Sequence, residues 1–329
     1  MDMKRIIGGS AILANALDHA SQLASINRPI LIVGERGSGK ELFAERLHFL
    51  SPRWEQPFIK LNCAAFSESL LDSELFGHDS GAFTGATKNH LGRFERAQGG
   101  TLFLDELATM SGQLQEKLLR VIEYGEFERV GGSRTINCDV RVIGATHADL
   151  KLMVSQGTFR ADLLDRLSFD VIQVPPLRSR PEDIQELSEH FALRICHELN
   201  WPYFPGFTDE AIATLMEYSW PGNIRELRNV VERSIFRHGK EASPVAQVLL
   251  NPFGKSDTDA IKFAASEHQE EHVEKSINFE NEVNNFKKAL LFTYLERNQY
   301  SQKKTAADLQ LSYDQLRGLI RKYGLDKTI

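Results

Sequence analysis

The residues best suited to chemistry gather around one glycine-rich loop and one acidic strand end. Gly34-Glu35-Arg36-Gly37-Ser38-Gly39-Lys40 fits the GxxxxGK spacing, in which glycines let successive backbone N–H groups turn inward and a lysine closes the loop. The loop falls between Pro29-Ile-Leu-Ile-Val-Gly34, an apolar run that reads as a buried strand, and Glu41–Leu50, which reads as a helix. That context sets a helix N-terminus against a bound polyphosphate, with Lys40 neutralising the β- and γ-phosphates of ATP. Glu41 follows the lysine where the general motif carries Ser or Thr for Mg2+, so the metal ion must lean on another residue. Thr101-Leu-Phe-Leu-Asp-Glu106 supplies it. A buried strand of this kind delivers Asp105 to Mg2+ and leaves Glu106 to polarise an attacking water. Asn62 ends another short strand, Phe58-Ile-Lys-Leu. It could hold Glu106 idle until ATP is placed, or simply cap a turn.

These side chains need a scaffold that brings strand ends together. Through its first two-thirds the chain alternates short apolar strands with amphipathic helices, the pattern of an α/β fold with a parallel sheet. Val140–Ala145 and Phe169–Val174 complete the strand set. After Pro175-Pro176 the apolar spacing becomes helical over Asp183–Leu199, Asp209–Tyr218 and Ile224–His238. We therefore divide the chain into an α/β nucleotide-binding part (1–174), a small all-α lid (175–253), a polar linker (254–285) and a terminal helical domain (286–329).

Charge supports that division. The net charge is −6, yet the last 44 residues carry nine Lys or Arg against four Asp or Glu, or +5, leaving −11 on the rest. A basic end on an acidic body points to nucleic acid at that end. Gln302–Leu311 and Tyr313–Tyr323 read as two helices across a tight turn, sharing a core of Ala306, Ala307, Leu309, Leu311, Leu316, Leu319 and Ile320. The second helix offers Tyr313, Gln315 and Arg317 to base edges and Arg321 and Lys322 to phosphates. Cys63, Cys138 and Cys196 lack CxxC spacing, which reads as buried reduced thiols rather than disulfides or a zinc site. Apolar runs fall far short of the roughly 20 residues a membrane helix needs. Gly8, Gly9, Ser10, Asn15 and Asp18 break the only stretch resembling a signal peptide. We expect a cytoplasmic protein without membrane insertion.

Several motifs together carry a family resemblance. The Gly34–Glu41 loop, Gly81-Ala82-Phe83-Thr84-Gly85-Ala86, Asp105-Glu106, Phe159-Arg-Ala-Asp-Leu-Leu-Asp-Arg166 and Trp220-Pro-Gly-Asn-Ile-Arg-Glu-Leu227 resemble the AAA+ domain of bacterial enhancer-binding proteins. Those proteins activate sigma-54 RNA polymerase. The resemblance runs from about Ile7 to the end, and Gly81–Ala86 is close to diagnostic. It implies ATP hydrolysis in a homo-oligomeric ring, a hexamer, that remodels the closed promoter complex. It makes Glu41 normal for the motif, Arg160 and Arg166 fingers that enter a neighbouring subunit's ATP site, and Arg225 the lid sensor of the γ-phosphate, with Asn223 capping its helix. Gly81–Ala86 becomes the sigma-54 contact, and the end of the chain a Fis-type helix-turn-helix for enhancer DNA, with Gln310 where that turn usually has glycine. Because the phosphate loop begins at Gly34, no receiver or sensor domain is expected before it. That matches phage-shock-type members, which implies a phage shock protein A-like inhibitor, with Trp54 as its docking point or else a half-buried structural residue. One departure stands out. Where the family usually has Asn after Val140-Arg-Val-Ile-Gly-Ala-Thr146, this chain has His147. A different AAA+ motor would leave Gly81–Ala86 unused, and a regulator using ATP only as an assembly switch would leave Glu106, Arg160 and Arg166 idle.

Overall fold

A computed structural model describes residues 6–252, 287–288, 291, 294–295, 298, 301–309 and 311–323. The expected linker at 254–285 and the turn residue Gln310 lie outside them. By contact clustering the chain forms two units, Met1–Lys255 and Ser256–Ile329, so the α/β part and the lid share the first.

The first unit opens with α1 (Ala11–Ala24), β1 (Ile30–Val33), α2 (Lys40–Phe49), β2 (Phe58–Asn62), α3 (Glu68–Phe76) and α4 (Arg93–Arg96). It continues with β3 (Thr101–Asp105), α5 (Gly112–Tyr124), a hairpin of β4 (Glu126–Glu128) and β5 (Thr135–Asn137), then β6 (Arg141–Thr146), α6 (Leu150–Ser155), α7 (Ala161–Leu167) and β7 (Val171–Gln173). Five strands form one sheet in the order β2-β3-β6-β1-β7, every pairing parallel.

Alternation along the strands explains why helices cover both faces. Leu31, Leu102, Leu104 and Val142 point into a core with α3, α5 and α7. Their neighbours Ile30, Ile32, Phe103 and Ile143 point into the opposite core with α1 and α2. The expected strand at Phe169 begins later, at Val171, and Phe169 is exposed. Arg141, at the amino end of β6, is buried and donates to the carbonyls of Leu23, Ala24 and Arg28. It thereby satisfies the last carbonyls of α1, which have no partner within the helix. Burial lowers its pKa to about 10.

The lid comprises α8 (Glu182–Glu198), α9 (Asp209–Glu217) and α10 (Asn223–His238) around its own core of Leu187, Phe191, Leu215, Trp220, Leu227 and Val231. Trp220 is fully buried and its indole N–H donates to Leu215 O at 2.8 Å. Cys63 and Cys196 are buried and Cys138 is half-buried; all three are free thiols. Among the described residues no helix is long and apolar enough to cross a membrane.

In the second unit, Gln302–Asp308 and Tyr313–Lys322 are helical. Leu291, Leu295, Ala306, Leu316 and Ile320 form the core, with Leu309, Leu311 and Leu319 packed against it. Ala307, expected in that core, is exposed, and Thr305 takes the buried position instead. Ser312 and Gln315 form a reciprocal capping box at the start of the second helix.

Candidate functional site: the carboxyl edge of the parallel sheet

Parallel pairing brings the chemistry to one edge. Asn62 pairs with Asp105, Leu104 with Gly144, and Val33 with Thr146. Asn62, Asp105, Glu106, His147 and the loop that starts at Gly34 therefore emerge together, the position at which open α/β sheets bind ligands. A cavity of about 890 Å³ opens there, and its lining includes Lys40, Asp105, Glu106, Arg36 and Arg225 together with the apolar Ile6, Ile7, Leu13, Leu187 and Phe191. Cations and apolar side chains in one lining suit a ligand that has both a phosphate tail and a nucleobase.

The phosphate loop is braced from outside as well as within. Lys40 donates to the carbonyls of Gly34 and Glu35 at 2.9 and 3.1 Å, and burial lowers its pKa. Ser38 Oγ donates to Glu35 O. Gly37 adopts φ +74°, and a Cβ there would lie 2.3 Å from Gly222 O, because the Trp220-Pro-Gly-Asn223 turn of the lid sits directly on the loop. Ile224 N donates to Gly37 O.

Glu35 is the hub of that junction. Its carboxylate accepts two bonds from Arg178 at 2.6 and 2.7 Å and one from Asn223 Nδ2 at 2.9 Å. These bonds lower its pKa to about 2. Asn223 does not cap its helix: Gly222 holds that position. Asn223 is instead buried with φ 51°, and its Oδ1 accepts from Leu177 N, so it ties the lid to the loop. A second buried group, missed in the sequence, lies nearby. Asp183 accepts from both the backbone N and Oγ of Ser10 and faces Arg180, which donates to Ser38 O. Both junctions join residues more than a hundred positions apart, and charged residues in a polar run give no sign of such pairing.

At the acidic strand end, burial raises the pKa of Asp105, whose Oδ1 accepts from Glu106 N. Glu106 has a left-handed backbone, φ 54° and ψ 42°, and its Oε2 lies 2.6 Å from Nδ1 of His147. Asn62 directs its Oδ1 at Ala64 N, 2.9 Å away, capping its own turn. Glu41 is exposed and pairs with Lys60 at 2.7 Å.

The cavity lining does not include the remaining expected residues of the first unit. Arg160 stands just before α7 and pairs with Asp162, and Arg166 pairs with Glu123; both side chains are exposed. Gly81–Ala86 forms a loop closed by Gly81 N to Ala86 O at 2.7 Å, with positive φ at Gly81 and Gly85. Phe83 is 48% exposed and its ring meets His78 edge-on at 4.9 Å, while Thr84 is exposed and Ala86 buried. Trp54 is 55% exposed in a turn. In the second unit Tyr313, Gln315, Arg317, Arg321 and Lys322 are all exposed. Gln315 Oε1 is engaged by Ser312 N in the capping box, which leaves its amide nitrogen for any base edge.

Fold, nucleotide cavity and exposed loop define a class, and comparison places the chain in it. The sigma-54 interaction domain matches residues 6–173 and the AAA+ ATPase lid domain residues 178–252, so the chain belongs to the sigma-54-dependent AAA+ transcriptional activators. It is 53% identical to the Psp operon transcriptional activator of Escherichia coli K12 over 97% of both chains. It is 49% identical to the Nif-specific regulatory protein of Azotobacter vinelandii over 70% of its own length but only 44% of that relative. The fold matches NtrX from Brucella abortus in complex with ATP, with TM-score 0.74 and 32% identity, covering 98% of this chain and 69% of that one.

Proposed function

We propose that this chain binds enhancer DNA and assembles into a ring, a hexamer, that hydrolyses ATP to remodel the closed complex of sigma-54 RNA polymerase, in the service of a phage-shock-type operon. One observation carries the catalytic part. A single sheet edge presents Lys40, Asp105 and Glu106 to a cavity whose lining also carries apolar side chains. The NtrX homologue solved with ATP supports nucleotide in that cavity.

Lys40 and Arg225 bind the phosphates, and the N–H groups of Gly37, Ser38 and Gly39 orient them. Asp105 fits Mg2+: it is a hard oxygen donor at the cavity wall, and that ion takes one or two carboxylates with phosphate and water in its other positions. When bound, the ion neutralises charge on the phosphate oxygens. Glu106 accepts the proton of the attacking water. Arg160 and Arg166, exposed and outside the lining of this chain's own cavity, act on the site of the next subunit in the ring. Gly81–Ala86 carries the work to sigma-54, with Phe83 as its apolar contact. Exposed Tyr313, Gln315, Arg317, Arg321 and Lys322 read DNA, and Trp54 receives a phage shock protein A-like inhibitor in the cytoplasm.

The decisive experiment measures ATP turnover and open-complex formation on a sigma-54 promoter with purified protein. Both should occur, and open complexes should require a hydrolysable nucleotide. Turnover without open complexes would make the chain a different AAA+ motor.

A further inference from the structure

We propose that Ser10 and Asp183 clamp the segment 6–10 to the lid as a wall for the nucleoside of a bound nucleotide, an inference that rests on the nucleotide reading of the cavity above. Both are then positioning residues. Ser10 stands just before α1, where a serine hydroxyl ordinarily caps the free N–H groups of its own helix. Here it makes no such cap. Its backbone N and its Oγ instead donate to the two carboxylate oxygens of Asp183, at 2.9 and 2.7 Å. Asp183 lies in the first turn of α8, 173 positions along the chain, and both residues are buried. A local cap is thus exchanged for two charge-assisted bonds between the α/β part and the lid.

The segment itself is fitted to that contact. Gly8 adopts φ +129°, and a Cβ there would lie 2.7 Å from the Asp183 carboxyl group and 2.8 Å from Leu13 Cδ2. Ile6 packs against the core that α1 and α2 share with the sheet, and Ile7 against the core of the lid. Both residues also line the cavity, with Leu13, Leu187 and Phe191.

Arg180 marks the other end of the clamp. It is buried, faces Asp183 at 3.7 Å and donates to Ser38 O in the phosphate loop. Asp183 therefore serves two partners, Arg180 toward the phosphates and Ser10 toward the apolar wall. Removing the Ser10 hydroxyl loosens the wall and leaves Asp183, Arg180 and the loop in place. A phosphate chain without a nucleoside does not need that wall.

The test measures Kd for ATP and for inorganic tripolyphosphate in the full chain, as wild type, Ser10→Ala and Gly8→Ala. A segment held by one bond instead of two, or displaced by a Cβ, is in place for a smaller fraction of the time, and apparent affinity falls with that fraction. ATP should bind about fivefold or more weakly in both variants, with tripolyphosphate within about twofold of wild type. KM for ATP should rise with Kd while kcat stays within about twofold, the mark of lost uniform binding. Wild-type ATP affinity in Ser10→Ala, or equal losses for the two ligands, would overturn the clamp. A second readout needs no variant: hydrogen exchange at the amides of 6–10 should slow when ADP binds. Unchanged exchange would remove the wall. If wild type binds ATP without hydrolysing it, the hydrolysis reading fails by itself and the two affinities still decide the clamp. If wild type binds no ATP, the nucleotide reading fails and the clamp falls with it.

Discussion

Residues at the sheet edge divide by when they act. Lys40 meets the phosphates in the ground state, whereas Glu106 acts on water, so their removal should read differently. Lys40→Ala is expected to abolish nucleotide binding. Glu106→Gln should keep binding within a fewfold and stop turnover. A fluorescence titration beside a turnover assay checks both, and tight ATP binding by the Lys40 variant would contradict the assignment. Glu35 makes a separate prediction about pH. Its pKa falls from the ordinary 4.5 to about 2 because Arg178 and Asn223 donate to the charged form. A depressed carboxylate stabilises the fold above its unfolded pKa and loses that contribution as pH falls through the folded one. The gap in Tm between wild type and Glu35→Gln should therefore be full above about pH 5 and close as the pH approaches about 2. The group is 41% exposed, so solvent screening keeps the gap small. A gap that widened with acid would refute the sign.

At the scale of elements, sequence reading succeeded where one element explains its own pattern. The runs Ile30–Val33 and Leu102–Leu104 are apolar throughout because helices bury both faces of the sheet. The Gly34–Lys40 spacing likewise needs only a strand before it and a helix after it. Pairings between distant elements were not legible. Arg178 and Glu35 are 143 positions apart, and Asn223 and Glu35 188 apart. Asn223 resembles a helix cap in sequence, yet its amide is taken by the phosphate loop. The contact of His147 with Glu106 follows from strand order, which alternation alone does not specify. The Gly81–Ala86 loop is the reverse case, plain in sequence and without a hydrogen bond to Lys40, Asp105 or Glu106 among the described residues. It contributes nothing to the cavity lining, and its internal bonds are backbone bonds. Thr84 is exposed, so Thr84→Ala removes a hydroxyl without disturbing the loop. ATP hydrolysis should stay within about twofold of wild type while open-complex formation is lost. Capture of sigma-54 with ADP and aluminium fluoride should be lost with it. Equal damage to both activities would reduce the loop to a structural turn.

For the molecule as a whole, the question is whether DNA binding and ATP hydrolysis belong to separable parts. Met1–Lys255 and Ser256–Ile329 cluster apart, and each has its own apolar core. Charge divides further along the chain: 286–329 carries +5, 256–285 carries −6 and 1–255 carries −5. Acidic segments are repelled by DNA phosphates, so 286–329 must supply the electrostatic attraction. Deleting 286–329 should then abolish specific enhancer binding and leave nucleotide binding and hydrolysis intact, measured at a protein concentration that maintains the ring. In the full chain, binding should weaken steeply with salt, since each phosphate contact releases condensed counterions. Arg321 and Lys322 are both exposed in the last turn of their helix. Replacing both with alanine should flatten the slope of log K against log salt by about 1.8 per bound protomer. Arg317→Ala, nearer the base edges, should instead narrow the gap between specific and random DNA. A truncated chain that still footprints one site at physiological salt would place the DNA contact in the first unit and overturn this division.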